Sequence, residues 1–103
     1  ENEQRLRRVE FGAMRESVLE ALEELTAWYR DLVAVGVGAE PIVVHFDHLE
    51  TLREDGVPER LPAAERSAEL VRDAWRWFEE LNLQPKLALE ALFIRLRREL
   101  GSA

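Results

Sequence analysis

No cysteine occurs in the chain, so neither a disulfide framework nor a thiolate zinc site is open to it. An intracellular, cytoplasmic home fits that absence. No apolar run approaches the roughly 20 residues that a membrane-spanning helix needs. The polar opening Glu1-Asn2-Glu3-Gln4, without Met, does not read as a signal peptide. Such an opening, in what reads as helix, predicts a fragment of something longer. Lysine occurs once, at Lys86, and no Gly-rich loop accompanies it, so the P-loop of an ATPase is absent.

Positive charge is also scarce. The net charge is −7 and the pI is near 4.9. Residues 1–35 hold 8 acids against 5 bases, 36–61 hold 6 against 2, and 62–82 hold 5 against 3. Only 83–103 turn positive, with 4 bases against 2 acids. A nucleic-acid module normally shows a basic face. The phosphate attraction that dominates DNA affinity is largely missing here.

What is present is helix-forming. The chain has 103 residues, one domain's worth, of which 47% are hydrophobic and 34% charged. That balance is globular rather than disordered. Leu, Ala, Glu and Arg dominate, and all four favour helix. One long helix is expected over 3–35. Its heptad stripe runs Phe11, Met14, Val18, Ala21, Leu25, Trp28, Leu32, Val35, widened by Leu22 and Tyr29. Gly12 is a weak point and a candidate kink. Gly36 and Gly38 are stop signals.

Residues 41–46, Pro-Ile-Val-Val-His-Phe, have strand propensity but no partner strand, and read as an extended connector against the helices. Asp47-His48-Leu49-Glu50 is a helix-start signature, with Asp47 as the cap and Glu50 reaching back. A short helix then runs to about Asp55 and ends at Gly56-Val57-Pro58. Pro62 opens the next helix from its first turn. Ala64, Ala68, Val71, Trp75 and Phe78 mark one face of it, and Asn82 is its stop. Pro85 opens a last helix that is apolar on nearly every side over two turns. That pattern predicts either the central helix of a four- or five-helix, all-α domain or a helix shared with a neighbouring subunit. Trp75 and Trp77 point about 200° apart on a helix, so one of them is expected to be partly exposed.

Chemistry is hard to place. His45, Asp47 and His48 are metal-ligand types, but their spacing matches no ligand motif, and a capped helix flanked by two histidines is the simpler reading. Ser17 and Ser67 lie mid-helix and Ser102 in the tail, with no nucleophile-elbow context. Pairs such as Glu23-Glu24 and Glu79-Glu80 read as solvated helix surface. Arg95, Arg97 and Arg98 could contact phosphate, but in the last turns of a helix cations complement the dipole, and that structural reading is preferred. No catalytic, cofactor or metal residue is therefore assigned. The rival readings are a stand-alone helical adaptor or homodimeric coiled coil built on the first helix, and a small metal-dependent hydrolase built on His45, Asp47 and His48.

Two segments resemble a known family. Leu25-Thr26-Ala27-Trp28-Tyr29-Arg30-Asp31-Leu32 and Asn82-Leu83-Gln84-Pro85-Lys86-Leu87-Ala88-Leu89-Glu90-Ala91-Leu92-Phe93-Ile94-Arg95-Leu96 are similar to the C-terminal domain of the delta prime subunit of the bacterial DNA polymerase III clamp loader. The order and spacing agree from about residue 5 to residue 98. Gln84 stands where that family often has Asn. The last-helix pattern is shared more loosely with the tau/gamma subunits. The resemblance implies a non-catalytic collar domain over 1–103, attached to AAA+ modules outside this chain. Its implied partners are the tau/gamma and delta subunits, with DNA reached only through the complex and no cofactor of its own. Trp28, Trp77, Leu87, Leu89, Phe93 and Arg97 are the candidate subunit-interface residues.

Overall fold

Punctuation in the sequence sets the element boundaries. The computed structural model describes residues 2–101. Helix α1 spans Asn2–Gly36, α2 Leu49–Asp55, α3 Leu61–Glu80 and α4 Pro85–Gly101. Three 3-10 turns, at Glu40–Ile42, Phe46–His48 and Pro58–Arg60, fill the connections. Among the described residues there is no strand, so the chain is all-α as its composition predicts. No described helix is long and apolar enough to cross a membrane.

The end of α1 is closed by hydrogen bonds. The Gly38 N–H donates to the Val35 carbonyl at 3.1 Å and the Ala39 N–H to the Ala34 carbonyl at 2.7 Å. This pair forms a Schellman cap, which needs a left-handed residue, and Gly38 supplies it with φ +82°. Pro85 is the first residue of α4 and Pro62 the second of α3, positions where a missing N–H costs nothing. Asn82 ends the third helix as expected, with φ +48° in the turn after it. The helix runs through Gly12 without interruption.

Start signals at α2 work differently from the sequence expectation. The Phe46–His48 turn carries the chain into the helix, which begins at Leu49. His48 occupies the cap position and makes no capping bond through its side chain. Asp47 lies within the turn and faces the imidazole of His48 at 3.5 Å, so it caps nothing.

Helices α1 and α3 run antiparallel. Leu61 lies against Gly36 at one end, and the Arg15 guanidinium sits 4.7 Å from the Phe78 ring centre at the other. Helix α4 then returns along α3, where the Arg66 guanidinium donates to Glu99. The core between them holds Leu22, Leu52, Val71 and Phe78, all at 2% exposure or less, with Val18, Tyr29, Leu32, Leu92 and Leu96 around them. Helix α2 is stitched on at close range. A Cβ on Gly56 would lie 2.6 Å from the Leu52 carbonyl oxygen and 3.1 Å from that of Leu32. Backbone cannot yield there, so Gly56→Ala is expected to lower stability by about 1–3 kcal/mol, the usual cost of overpacking. Its urea midpoint against wild type is the check.

Two expectations about the core are corrected. Phe11 and Met14 continue the inward stripe of α1 but are 40% and 46% exposed, near the level where the chain turns from α3 into α4 at residues 81–84. Residues 2–10 are exposed throughout, so the first quarter of α1 is an unpacked arm. Helix α4 is peripheral rather than central. It buries Pro85, Leu92 and Leu96 and leaves Leu87, Phe93 and Ile94 facing outward.

Candidate functional site: a carboxylate clasp and an outward apolar face

One buried charge stands out. Asp31 sits on the core side of α1 at 3% exposure. Its Oδ1 accepts the Val44 N–H at 2.9 Å, and its Oδ2 accepts the His45 N–H at 2.9 Å. The His45 ring closes the clasp, with Nδ1 2.5 Å from Oδ2 of Asp31 and Nε2 3.3 Å from Oε2 of the exposed Glu24. Two successive backbone donors and one ring donor thus converge on one carboxylate, which satisfies the charge that burial would otherwise make costly.

This clasp explains the connector. Val43 turns inward at 2% exposure and His45 turns onto α1, while Ile42, Val44 and Phe46 point to solvent. The extended reading of 41–46 holds only for its middle, since a 3-10 turn covers Glu40–Ile42 and another opens at Phe46. Trp28 forms the floor. Its ring meets His45 edge-on at 5.5 Å between centroids and His48 at 6.1 Å. A second tie lies nearby, where Arg53 of α2 grips Glu40 through Nη2 at 2.8 Å.

The electrostatics follow from the geometry. Burial alone would push the Asp31 carboxyl up. The N–H bonds from Val44 and His45 and the imidazole beside it outweigh burial and leave it below the usual carboxylate range. His45 is raised by its bond to Asp31, against burial and with help from Glu24. A raised His contributes stability that is full below its unfolded pKa, about 6.5, and is lost as pH climbs through the higher folded value. A lowered Asp contributes stability that is full above its unfolded pKa, about 3.9, and is lost as pH falls through the lower folded value. Unfolding free energy measured against pH should therefore be highest between about pH 4 and 6.5 and decline on both sides. A His45→Gln variant should lose the decline on the alkaline side.

His45, Asp47 and His48 do not converge. Both ring nitrogens of His45 face carboxylates of α1, while Asp47 turns to His48. No three His, Asp or Glu side chains among the described residues are arranged to hold a metal ion. The clasp fixes the connector to α1.

The candidate interface residues divide. Trp28 is half-buried under the two histidines, and Leu89 is half-buried against the core. Leu87 is 59% and Phe93 46% exposed, with Ile94 at 54% beside them, and Arg97 is exposed too. Trp77 is 37% exposed, whereas Trp75 packs against the core, as their spacing requires. The Arg95 guanidinium lies 5.3 Å from the centre of the Trp77 ring and joins α3 to α4 across the surface. Sequence reasoning missed the role of Asp31 and the outward position of Ile94. Asp31 flanks the apolar stripe of α1 beside Trp28 and Val35 rather than lying on it, so periodicity did not mark it. Compared with family models, curated proteins and solved structures, the chain matches none.

Proposed function

We propose that this domain is a non-catalytic oligomerisation module, the collar domain of a bacterial DNA polymerase III clamp loader, and that it serves in a delta prime subunit. The observation that carries the reading is the outward side of α4, where Leu87 and Ile94 share one exposed strip and Phe93 stands exposed about 100° round from it, on a helix that turns Pro85, Leu92 and Leu96 to the core. Apolar exposure of that kind suits the centre of a subunit interface. The same helix holds the longer of the two segments that resemble the family, Asn82 to Leu96. The shorter one contains Trp28 and Asp31, which build the clasp, so the resemblance falls on residues with a structural task. The related tau/gamma collar domain is the second reading, since it shares the last-helix pattern. A stand-alone helical adaptor is the third, and the same exposed face supports it.

In this proposal the tau/gamma and delta subunits are the partners, and the domain sits in the cytoplasm as part of a hetero-oligomer. Light scattering on size-exclusion fractions of the parent subunit, mixed with tau/gamma and delta, tests it. A five-subunit complex that forms only when this domain is present supports the collar. Equal assembly without the domain removes it and leaves the adaptor. Phe93→Ala refines the test. An exposed phenylalanine contributes little to the free domain, so its unfolding midpoint should stay within about 0.5 kcal/mol of wild type while partner binding weakens.

A further inference from the structure

The arm of α1 has no packing partner among the described residues. Residues 2–10 are exposed throughout, with Leu6 at 61% and Val9 at 64%. Isolated helix of this length is marginal in water, and helices in proteins owe most of their stability to packing. The arm is also slightly basic in an acidic chain, with Arg5, Arg7 and Arg8 against Glu3 and Glu10. Arg5, Arg7 and Arg8 have no ion-pair partner among the described residues.

The second half of α1 shows the converse. Beside it, against α3, runs a groove of about 320 Å³ with Leu19 and Trp75 as its floor and Glu16, Glu20, Glu23 and Glu79 on its walls. None of these four carboxylates has an ion-pair partner among the described residues. The arm cannot fold back into its own groove, because Arg5 and Glu20 are held about 22 Å apart along one continuous helix.

Gly12 adds an independent observation. A Cβ there would meet nothing within 4 Å. Nothing inside the chain requires a glycine at a mid-helix position where alanine would be about 1 kcal/mol better. Close approach by a second backbone supplies the missing reason.

We infer that the occupant of the groove is a second copy of this chain, paired through antiparallel α1 helices about a two-fold axis beside residue 14. The stripe Arg5, Val9, Gly12, Glu16, Leu19, Glu23 repeats at intervals of four and three, the seam of a coiled coil. Read against its own reverse, the stripe is self-complementary. Arg5 meets Glu23 of the second copy, Val9 meets Leu19, and Gly12 makes room for Glu16. Arg8 flanks the seam opposite Glu20. A two-fold interface needs this reciprocity, and each contact is made twice. The face differs from the Phe11–Met14 stripe, which looks toward the core side, and from the outer face of α4. The pairing therefore stands or falls separately from the collar proposal.

Multi-angle light scattering across a concentration series tests the pairing. Wild type should show a monomer–dimer equilibrium that weakens as salt rises. An arm-reversed chain (Arg5→Glu with Arg8→Glu) and a groove-reversed chain (Glu20→Arg with Glu23→Arg) should each be monomeric, because like charges then face each other. Mixed in equal amounts, the two should form a one-to-one heterodimer, since both reciprocal contacts are then restored. Gly12→Leu should raise the melting temperature of the monomer and abolish the dimer. A wild type that remains monomeric throughout overturns the inference. So does a dimer indifferent to both reversals, or a mixture of the reversed chains that fails to pair.

Discussion

Asp31→Ala is expected to lose about 3 kcal/mol of stability, enough to shift the urea midpoint far below that of wild type. Three donors depend on this one carboxylate: the N–H groups of Val44 and His45 and the His45 ring. Alanine removes the acceptor and leaves two connector amides and an imidazolium short of partners. Breaking a largely buried pair from one side costs more than the pair contributes net, because the group left behind still lacks water. Asp31→Asn should cost less, since the amide oxygen can accept from one N–H while its NH2 group opposes another donor. Two further readouts separate this mechanism from general damage. Hydrogen exchange at Val44 and His45 should accelerate before that of the α3 core, and the His45 imidazole should titrate nearer its ordinary value. Unchanged exchange at those two amides would refute the clasp.

Phe78→Ala is expected to cost about 3–5 kcal/mol, the range for deleting a ring from a closed core. Phe78 has no exposed surface and is among the largest fully buried side chains. It lies where α3 meets α1, and Arg15 covers its ring on the side toward the arm. Truncation leaves a cavity that two packed helices cannot collapse into. Circular dichroism followed through urea unfolding gives the value directly. Phe93 provides the internal contrast, because the same substitution on the outward face of α4 removes a comparable ring at little cost to the free domain. If both variants lose equal stability, the assignment of Phe93 to the surface is wrong.

Local signals carried most of the architecture. Gly38 must adopt a left-handed conformation to close α1, and Pro62, Asn82 and Pro85 each mark a boundary by what their own backbone allows. These constraints act within a few residues, so they can be read along the chain. Core membership was less legible at Phe11 and Met14. Periodicity shows which side of a helix faces inward but not how far the neighbouring helices extend, and α3 turns into α4 near that level. Asp47 misled because a capping motif competes with a 3-10 turn, and the turn at Phe46–His48, next to a His45 held by Asp31, is what forms here.

The clasp itself was only half visible. Asp31 and His45 lie 14 positions apart, and nothing local links them. His45 attracted notice as a metal-ligand type, and Asp31 was recorded only within the Trp28–Asp31 segment. The connection depends on how the cap at Gly38 swings the chain back along α1, a tertiary result that residue spacing does not encode. Helix α4 posed the opposite problem. Its all-round apolarity offered burial or sharing, and the exposure of Leu87, Phe93 and Ile94 in this chain decides against burial on every side.

The arm also governs how the molecule moves through solvent. Helix α1 is about 52 Å long, and the longest dimension of the whole chain is 55 Å against 27 and 19 Å across. The radius of gyration is 16.1 Å, where a compact chain of this size would have about 13 Å. A rod-like projection adds friction without adding mass. The monomer should therefore leave a gel-filtration column early, at a volume calibrated spheres would assign to a heavier particle, and should sediment slowly for its 12.0 kDa. Pairing two such rods about residue 14 doubles the mass while adding about 15 Å to a helix about 52 Å long, so the dimer should elute closer to the monomer than a doubling of mass suggests.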